Sequence, residues 1–402
     1  MSGAARNIAL YPWFKFFQNL LFWQAIWFLF LQSELSAAQA ILFYAIYDVT
    51  TTVLEVPSGY FSDRWGRRKT LIASACAGFL SCALFALGGG FWVFALAQVA
   101  MGAHIALASG TDSAILYESL VAERRAEDVE KEEVRAWRCS FLALAVSAVV
   151  GGLMALSGLR LPFAASAVAF GALVLIAIQF SEPDRTGRVR SEAERFEALR
   201  RASVHPVLAW LLVLSILIYG FGHLPFVFGQ PFILEVLGGS GFIAEAAVVS
   251  GVVTTLMMLA SVAVSWVAPG VRRWLGLKSI LLLAFCIQIM LAAGLALFGN
   301  LSAVLLLLLR KVPDSLAQPF IAARIQPILD DEMRATYISL RNLVARLCFA
   351  ASLLLVSVNA SEAGAMAIEE IQAILAVYAG FGVVCLAGLA MTGRSLGSDG
   401  RD

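Results

Sequence analysis

Charged side chains are scarce in this sequence. Only 14% of its 402 residues are Asp, Glu, Lys or Arg, whereas a soluble domain carries about a quarter. Hydrophobic residues make up 60% of the chain, and the mean hydropathy is +0.83. This composition excludes an ordinary soluble globular protein and predicts helices buried in a lipid bilayer. The formal net charge of +1 gives no basis for nucleic-acid binding, so we expect no nucleic-acid partner.

The sequence is also poor in the residues that form metal centres and disulfide frameworks. It has three histidines and six cysteines, and the cysteines lie inside apolar runs without metal-ligand spacing. It has no nucleotide-binding glycine loop and no histidine–carboxylate set at metal spacing. These absences argue against an enzyme. We expect no disulfide, no metal and no cofactor.

Long apolar runs, by contrast, fill most of the chain. A membrane helix needs about 20 apolar residues, and this rule predicts about twelve spans. The predicted spans, numbered 1 to 12 in chain order, lie near 10–31, 38–61, 70–88, 91–118, 138–157, 161–180, 206–235, 243–268, 277–298, 300–327, 338–358 and 367–391. The first run is a full span in length and no small-residue cleavage site follows a short core, so we expect it to remain as span 1 rather than to be removed as a signal peptide.

One long polar segment, residues 181–205, divides the chain near its middle. It contains Pro183, Gly187 and mixed charge, which is typical of a linker that lies along a membrane surface. We therefore predict an N-terminal six-helix bundle over residues 1–180, a cytoplasmic linker over 181–205, and a C-terminal six-helix bundle with a short tail over 206–402.

A short cationic loop joins spans 2 and 3. Residues 59–69 read GYFSDRWGRRK, which is the pattern G-x-x-x-D-R-x-G-R-R-K. Short loops rich in Lys and Arg stay in the cytoplasm, so this loop orients the two spans that flank it. The other predicted inner loops are basic too, whereas the predicted outer loops hold essentially Arg160 alone. We therefore predict that both termini lie in the cytoplasm.

This pattern resembles the loop between helices 2 and 3 of the major facilitator superfamily of secondary transporters. A basic inner loop alone would explain the arginines, but not the two glycines and the aspartate. The resemblance implies an all-α membrane protein with about twelve transmembrane helices in two pseudo-symmetric six-helix bundles. The gating loop that it implies comprises Gly59, Asp63, Arg64, Gly66, Arg67, Arg68 and, at the cytoplasmic end of span 4, Glu118.

Within this loop, Asp63 is expected to accept hydrogen bonds at the N-terminus of span 11, near Thr336 and Ser339. Unpaired backbone N–H groups and the positive end of the helix dipole favour a carboxylate there. Arg67 is expected to hold Asp63 on one side and Glu118 on the other, which resembles the charge relay described for this motif in the superfamily.

Ionisable side chains inside the spans are candidates for proton coupling, because a charge in hydrocarbon is costly unless it has a function or a partner. The candidates are Asp48 and Glu55 in span 2, and His104 and Asp112 in span 4. Helical spacing places both acids of span 2 on one polar stripe. Structural alternatives remain open, because these acids could be partners of the basic loop or of neighbouring helices, and His104 could be a hydrogen-bonded packing residue.

Polar stripes on the spans that line the cavity in the superfamily are candidates for substrate contacts. The candidates are Gln18 in span 1, Tyr219, His223 and Gln230 in span 7, and Arg310 and Asp314 in span 10. Ordinary helix packing could also produce the stripe on span 7. In span 10, Asp314 could neutralise Arg310 as an intrahelical pair, or Arg310 could bind an anionic substrate.

We interpret the chain as a multi-pass protein of a bacterial inner membrane, monomeric among membrane lipids, with a small-molecule substrate and protons as its partners. We expect it to export a small organic solute by alternating access coupled to protons. Uptake of a metabolite or anion is the alternative within this class, favoured if Arg310 faces the cavity unpaired. A transport-dead membrane receptor or scaffold is the alternative from another class, although it would usually add a soluble domain.

Overall fold

The computed structural model describes residues 2–24, 26–35, 37–183, 197, 200, 205–227, 246–298, 306–329, 333–357 and 368–392. Within these residues the chain is helical and contains no β-strand. The α-helices are α1 (Gly3–Gln18), α2 (Trp27–Glu34), α3 (Ala37–Trp65), α4 (Arg67–Leu87), α5 (Phe91–Ala108), α6 (Thr111–Ala122), α7 (Val129–Ala155), α8 (Leu161–Gln179), α9 (Pro206–Val227), α10 (Ala246–Leu275), α11 (Leu277–Leu297), α12 (Val312–Ile325), α13 (Arg334–Ser357) and α14 (Ile368–Thr392). Short 3-10 helices, Ala126–Asp128 and Gln326–Ile328, precede α7 and follow α12.

Span 1 is interrupted, which the apolar run did not predict. Helix α1 ends at Gln18, where Asn19 donates its side-chain N–H to the carbonyl of Lys15 at 2.8 Å and its backbone N–H to the carbonyl of Phe16 at 3.1 Å. In the turn that follows, the backbone N–H of Phe22 donates to the hydroxyl of Ser166 at 3.0 Å. Side chains thus satisfy backbone groups that the helix has released, as membrane interiors require.

Span 4 is interrupted as well, between α5 and α6. Gly110 has φ +71°, a left-handed conformation that glycine adopts without steric cost. The break turns the carbonyl of Ser109 towards α13, where it accepts a hydrogen bond from the hydroxyl of Ser339 at 3.4 Å. The continuous helix predicted over 91–118 is therefore wrong at this point.

The described helices nevertheless correspond to the predicted spans. Helices α1 and α2 together make span 1, α5 and α6 make span 4, and each of the other described helices makes one span. Eight helical stretches in the described part of the chain are long and apolar enough to cross a membrane on their own. The predicted all-α fold with about twelve transmembrane helices is confirmed.

The chain forms two compact units. The first comprises Met1–Arg200, Glu245–Leu259 and Ala322–Leu343, and the second comprises Arg201–Ala244, Ala260–Ile321 and Val344–Asp402. The first unit therefore includes the N-terminal part of α13 as far as Leu343. The bundle boundaries drawn from the sequence stay a prediction, and most of the linker over 181–205 lies outside the described residues.

A core of aromatic rings holds the first unit together. Phe30 of α2, Phe85 of α4, Phe94 of α5 and Phe163 of α8 are all buried. Their ring centroids lie 4.5 Å (Phe30–Phe163) to 6.0 Å (Phe30–Phe85) apart. Such pairs add to the stabilisation that burial alone provides. Helix α4 packs against both α5 and α8, so the residues at its N-terminus are held in a fixed position.

Candidate functional site

The cationic segment is almost entirely helical. Helix α3 continues to Trp65 and α4 begins at Arg67, so only Gly66 separates them. Gly66 has φ +115°, a conformation that L side chains rarely adopt, and this explains the need for glycine. The open loop predicted over residues 59–69 is therefore wrong. The sharp break places Asp63, in the last turn of α3, beside Arg67, in the first turn of α4.

Glu182 caps the start of α4, a role that the sequence did not reveal. Its Oε1 accepts the backbone N–H of Arg67 at 2.7 Å, and its Oε2 accepts that of Arg68 at 2.9 Å. Gly66 has no side chain to serve as the cap, so a carboxylate from the residues after α8 takes this place, where the helix dipole favours negative charge. The only sequence signal was an acid directly before Pro183.

Asp63 binds the N-terminus of α13. Its Oδ2 accepts the backbone N–H of Thr336 at 2.8 Å and a short hydrogen bond from the Thr336 hydroxyl, and its Oδ1 lies 3.3 Å from the backbone N of Ala335. The Asp63 side chain is fully buried. A helix N-terminus offers unpaired N–H groups and a positive dipole, so it stabilises a buried carboxylate.

Arg67 links Asp63 to Glu118. One guanidinium nitrogen forms a short ion pair with Asp63, and another lies 2.7 Å from Oε1 of Glu118 in α6. Glu118 in turn lies 3.7 Å from Arg334, in the same first turn of α13 that holds Thr336. These side chains, all buried, close a ring of two acids and two arginines that joins α3, α4, α6 and α13.

Close backbone packing accompanies this ring at Gly59. A Cβ atom there would lie 2.9 Å from the carbonyl oxygen of Ala335 and from Cα of Thr336, so any larger residue would force α3 away from α13. The other two arginines of the loop lie outside the ring. Arg64 is exposed and donates to the Tyr60 hydroxyl at 2.7 Å, while Arg68 donates to the last turn of α8.

Two acids predicted on one stripe of span 2 lie in different environments. Glu55 is fully buried, and its Oε1 accepts hydrogen bonds from the Ser109 hydroxyl at 2.5 Å and the Asn342 side chain at 3.4 Å. Asn342 also donates to the Ser109 hydroxyl at 2.8 Å. Glu55 thus forms a second polar contact between α3 and α13, deeper than Asp63. Asp48, in contrast, is exposed.

His104 has the contacts of a packing residue. It is buried in α5, where its Nδ1 lies 2.9 Å from the carbonyl of Ser74, and its ring packs edge-on against Phe170 at 4.8 Å. The Ser74 hydroxyl returns a hydrogen bond to the His104 carbonyl at 2.8 Å. These bonds tie α4 to α5. A proton-relay role for His104 stays a prediction without support from its surroundings.

Asp112 forms an ion pair with Lys15 of α1, with Nζ and Oδ2 2.8 Å apart. Asp112 was a candidate from the sequence, but its pairing with Lys15 was not predicted, because α1 and α6 are about a hundred residues apart in the chain. Gln18, the last residue of α1, has a buried side-chain oxygen that lacks a hydrogen-bond partner among the described residues. Gln18 therefore stays a candidate for a polar substrate contact.

In the second unit, the predicted face of span 7 carries stacked rings. Tyr219 and His223 lie 4.1 Å apart by ring centroids, and Nδ1 of His223 donates to the Tyr219 carbonyl at 2.7 Å. Phe349 of α13 packs 5.6 Å from His223, and the guanidinium of Arg346 lies 5.9 Å from the Tyr219 ring. Arg346 was missed from the sequence. Gln230 lies outside the described residues.

A turn over residues 308–311 interrupts span 10, separating the helical residues 306–307 from the rest of the span. Helix α12 begins at Val312, with Pro313 in its first turn, and Arg310 lies in the turn before it. Proline favours the first turn of a helix because it lacks an N–H donor. The helical pair of Arg310 and Asp314 is therefore wrong: the ion pair of Asp314 is with Lys311 at 2.9 Å, and Arg310 interacts with Asp314 electrostatically from the turn.

Comparison with known families identifies the chain. A family model described as Major Facilitator Superfamily matches residues 13–353, most of the sequence. The chain belongs to the Major Facilitator Superfamily. It is therefore an integral, multi-pass membrane protein of the secondary-transporter type, and the resemblance of its cationic loop to this superfamily is confirmed. No curated protein sequence matches the chain significantly.

Solved structures of superfamily members share its fold. The Escherichia coli fucose:proton symporter FucP is 14% identical, with a TM-score of 0.72 over 97% of this chain and 99% of that chain. The nucleoside transporter NupG is 14% identical, with a TM-score of 0.67 over 96% and 100%. The human organic anion transporter MFSD10 is 14% identical, with a TM-score of 0.71 over 97% and 100%. At these identities the likeness shows the fold and not the substrate.

Proposed function

We propose that this superfamily member exports a small organic solute by alternating access, driven by protons, as a monomer in a bacterial inner membrane with both termini in the cytoplasm. The observation that carries the gating part is the buried ring in which Asp63 holds the first turn of α13. Alternating access requires two discrete arrangements whose balance each ligand can shift. A ring that must break before α3 and α13 separate supplies such a two-state element.

The ring favours the state in which the cytoplasmic ends are closed. Its bonds exist only while the first turn of α13 lies against α3 and α6, so they stabilise that state alone. The contact of Glu55 with Asn342 and Ser109 lies in the same interface and acts in the same direction. A carboxylate accepts stronger hydrogen bonds when ionised than when protonated, so a proton on Glu55 would weaken this contact. Asp48, exposed on the same helix, is proposed to exchange protons with water.

The experiment that tests this function is flux in proteoliposomes. The purified chain is reconstituted and tested with nucleosides, neutral sugars, organic anions and organic cations, with and without an imposed pH gradient. We expect at least one class to move faster than in empty liposomes and to respond to the gradient. A gradient that is more acidic outside accelerates exit from the cytoplasmic side in an exporter. The same gradient accelerates entry to the cytoplasmic side in an uptake permease. Absence of flux for every class would instead favour the receptor or scaffold.

A second candidate, uptake of a metabolite or anion, is supported by the excess of cations in the second unit and not by an unpaired Arg310, because Arg310 interacts with Asp314. Arg310 and Lys311 both interact with Asp314, and Arg346 also lies in the vicinity of His223. Three cations and one acid near a wall of aromatic rings suit an anionic planar solute. If the chain takes up anions, we expect organic anions to be the class that moves. Arg346→Gln then abolishes their transport, while Arg273→Gln, at the end of α10, does not.

A further inference from the structure

Four ionisable side chains lie near one another inside the first unit, apart from the ring of Asp63, Arg67, Glu118 and Arg334. They are Tyr11 and Lys15 of α1, Asp112 of α6 and Glu133 of α7. Glu133 is 2% exposed and lies near the charges of Asp112 and Lys15 and near the Ser113 hydroxyl. Tyr11, 1% exposed, faces both acids. Among the described residues, these are the charged and titratable groups that face Glu133.

The charges of this cluster do not balance when both acids are ionised. One ammonium, that of Lys15, serves two carboxyl groups, and its direct ion pair at 2.8 Å is with Asp112. Oε1 of Glu133 is buried and has no hydrogen-bond partner in the described part of the chain. An ionised carboxylate with an unsatisfied oxygen in such a place costs several kcal/mol. A proton on Glu133 removes this cost and makes the cluster neutral.

We infer that Glu133 carries an exchangeable proton, with Lys15 as its switching partner. With the proton bound, Lys15 pairs with Asp112, as observed. When the proton leaves Glu133 for water, the cluster carries one negative charge and Lys15, still an ammonium, is drawn towards both carboxylates. The proton would leave Glu133 past the Lys15–Asp112 ion pair. The Lys15 and Asp112 side chains are 17% and 13% exposed, whereas Glu133 is buried.

The position of Lys15 connects this site to the interruption of span 1. The carbonyl of Lys15 accepts the side-chain N–H of Asn19 at 2.8 Å, and the same side chain reaches the hydroxyl of Ser140 in α7 at 3.2 Å. Lys15 therefore lies in the last turn of α1, directly before the interruption of span 1. A role for Glu133 in coupling transport to protons rests on the proposed proton-driven transport. The protonation of Glu133 itself does not rest on that proposal.

The protonation is tested by infrared difference spectroscopy on the purified full chain in lipid nanodiscs. The pH is stepped across roughly 4 to 10, the range between ordinary carboxyl and lysine titration. We expect a protonated-carboxyl band that disappears on deprotonation, is absent in Glu133→Gln and is shifted in frequency in Glu133→Asp. Lys15→Met moves its midpoint to higher pH, because the ammonium that favours the carboxylate is gone. Glu132→Gln, next in the chain and ion-paired with Arg125 and Arg135, leaves the band unchanged.

Two results would overturn the inference: a set of titrating carboxyl bands in Glu133→Gln that is identical to the wild-type set, or a wild-type protein with no titrating carboxyl band. If Glu133→Gln does not fold, the frequency shift in Glu133→Asp decides the assignment. The outcome is separable from that of the transport proposal. A Glu133 band together with flux that ignores the pH gradient would refute proton coupling alone, and gradient-driven flux without a Glu133 band would refute this inference alone.

Discussion

Replacing Asp63 by asparagine should open the end of the molecule that carries the cationic segment. The carboxylate accepts the backbone N–H groups of Ala335 and Thr336 and the Thr336 hydroxyl, and it also pairs with Arg67. Asparagine keeps one accepting oxygen and replaces the other with an N–H₂ group, which cannot accept. At least one charge-assisted bond is lost, and the backbone N–H and hydroxyl bonds that remain are made to a neutral acceptor.

The size of the effect follows from the number of bonds lost. Hydrogen bonds to charged groups contribute about 1.5–3 kcal/mol each. Losing one shifts a two-state equilibrium by about 10- to 150-fold, since 1.4 kcal/mol corresponds to a factor of ten. The shift is towards the inward-facing state, because the bonds exist only in the state with closed cytoplasmic ends. Asp63→Asn is therefore expected to change the major population and not only a minor one.

The assay is a spin-label distance measurement between Lys69→Cys in α4 and Arg273→Cys in α10, both exposed positions, with the native cysteines replaced. We expect Asp63→Asn to move the distribution to longer distances. Asp128→Asn is the matched control. Asp128 also forms an ion pair with an arginine, Arg125, at 2.7 Å, but it is not part of the ring. An unaltered distribution in folded Asp63→Asn would refute the gating role of the ring.

Other substitutions test the neighbouring contacts. Gly59→Ala should give the same long distances as Asp63→Asn, because its Cβ would collide with the first turn of α13; Gly270→Ala, where a Cβ meets nothing within 4 Å, should leave them unchanged. Asn342→Ala removes two hydrogen bonds and should shift the same distribution about fivefold or more, whereas an unchanged distribution would mean that the Glu55 contact does not hold the interface. Asp48→Asn should abolish pH-gradient-driven flux without unfolding the protein, and full gradient-driven flux would remove Asp48 from the mechanism. His223→Cys should react with aqueous thiol reagents if span 7 lines the substrate path, and protection from the reagent would place it in packing.

Much of the fold follows from the sequence, because hydrocarbon permits few choices. A bilayer requires helices of about 20 apolar residues, so the long apolar runs determine the number of spans. The interface of Asp63 with the start of α13 was also predictable. The superfamily pattern includes Asp63, and the N-terminus of a helix near Thr336 stabilises a carboxylate through its unpaired N–H groups and its dipole. The orientation of the termini stays a prediction from the basic loops.

The interruptions of spans 1 and 4 were not predictable from apolar runs. Hydropathy has no period in a helix that is apolar on all sides, so it does not mark where the helix stops. The breaks depend on partners from distant parts of the chain, such as Ser166 for the freed N–H of Phe22. Gly110 was visible in the sequence, but a glycine inside a membrane helix is common and does not by itself indicate a turn.

The partners of buried charges were equally out of reach. Lys15 and Asp112 were each visible as polar residues in apolar surroundings, but only the packing of α1 against α6 shows that they pair. Glu133 was overlooked because it lies near the start of α7 among other acids, and such a run of charged residues is typical of a solvent-exposed turn. Arg310 was assigned to a helix because its spacing to Asp314 fits one, although Pro313 marked the start of α12.

Solute flux through the purified chain in proteoliposomes, measured with and without an imposed pH gradient, tests proton-driven transport most directly. The solutes are nucleosides, sugars, organic anions and organic cations. We expect one of these classes to move faster than in empty liposomes, the gradient to accelerate it, and Asp63→Asn to slow it while Asp128→Asn does not. Flux no faster than in empty liposomes for every class, from protein shown to be folded, would contradict proton-driven transport.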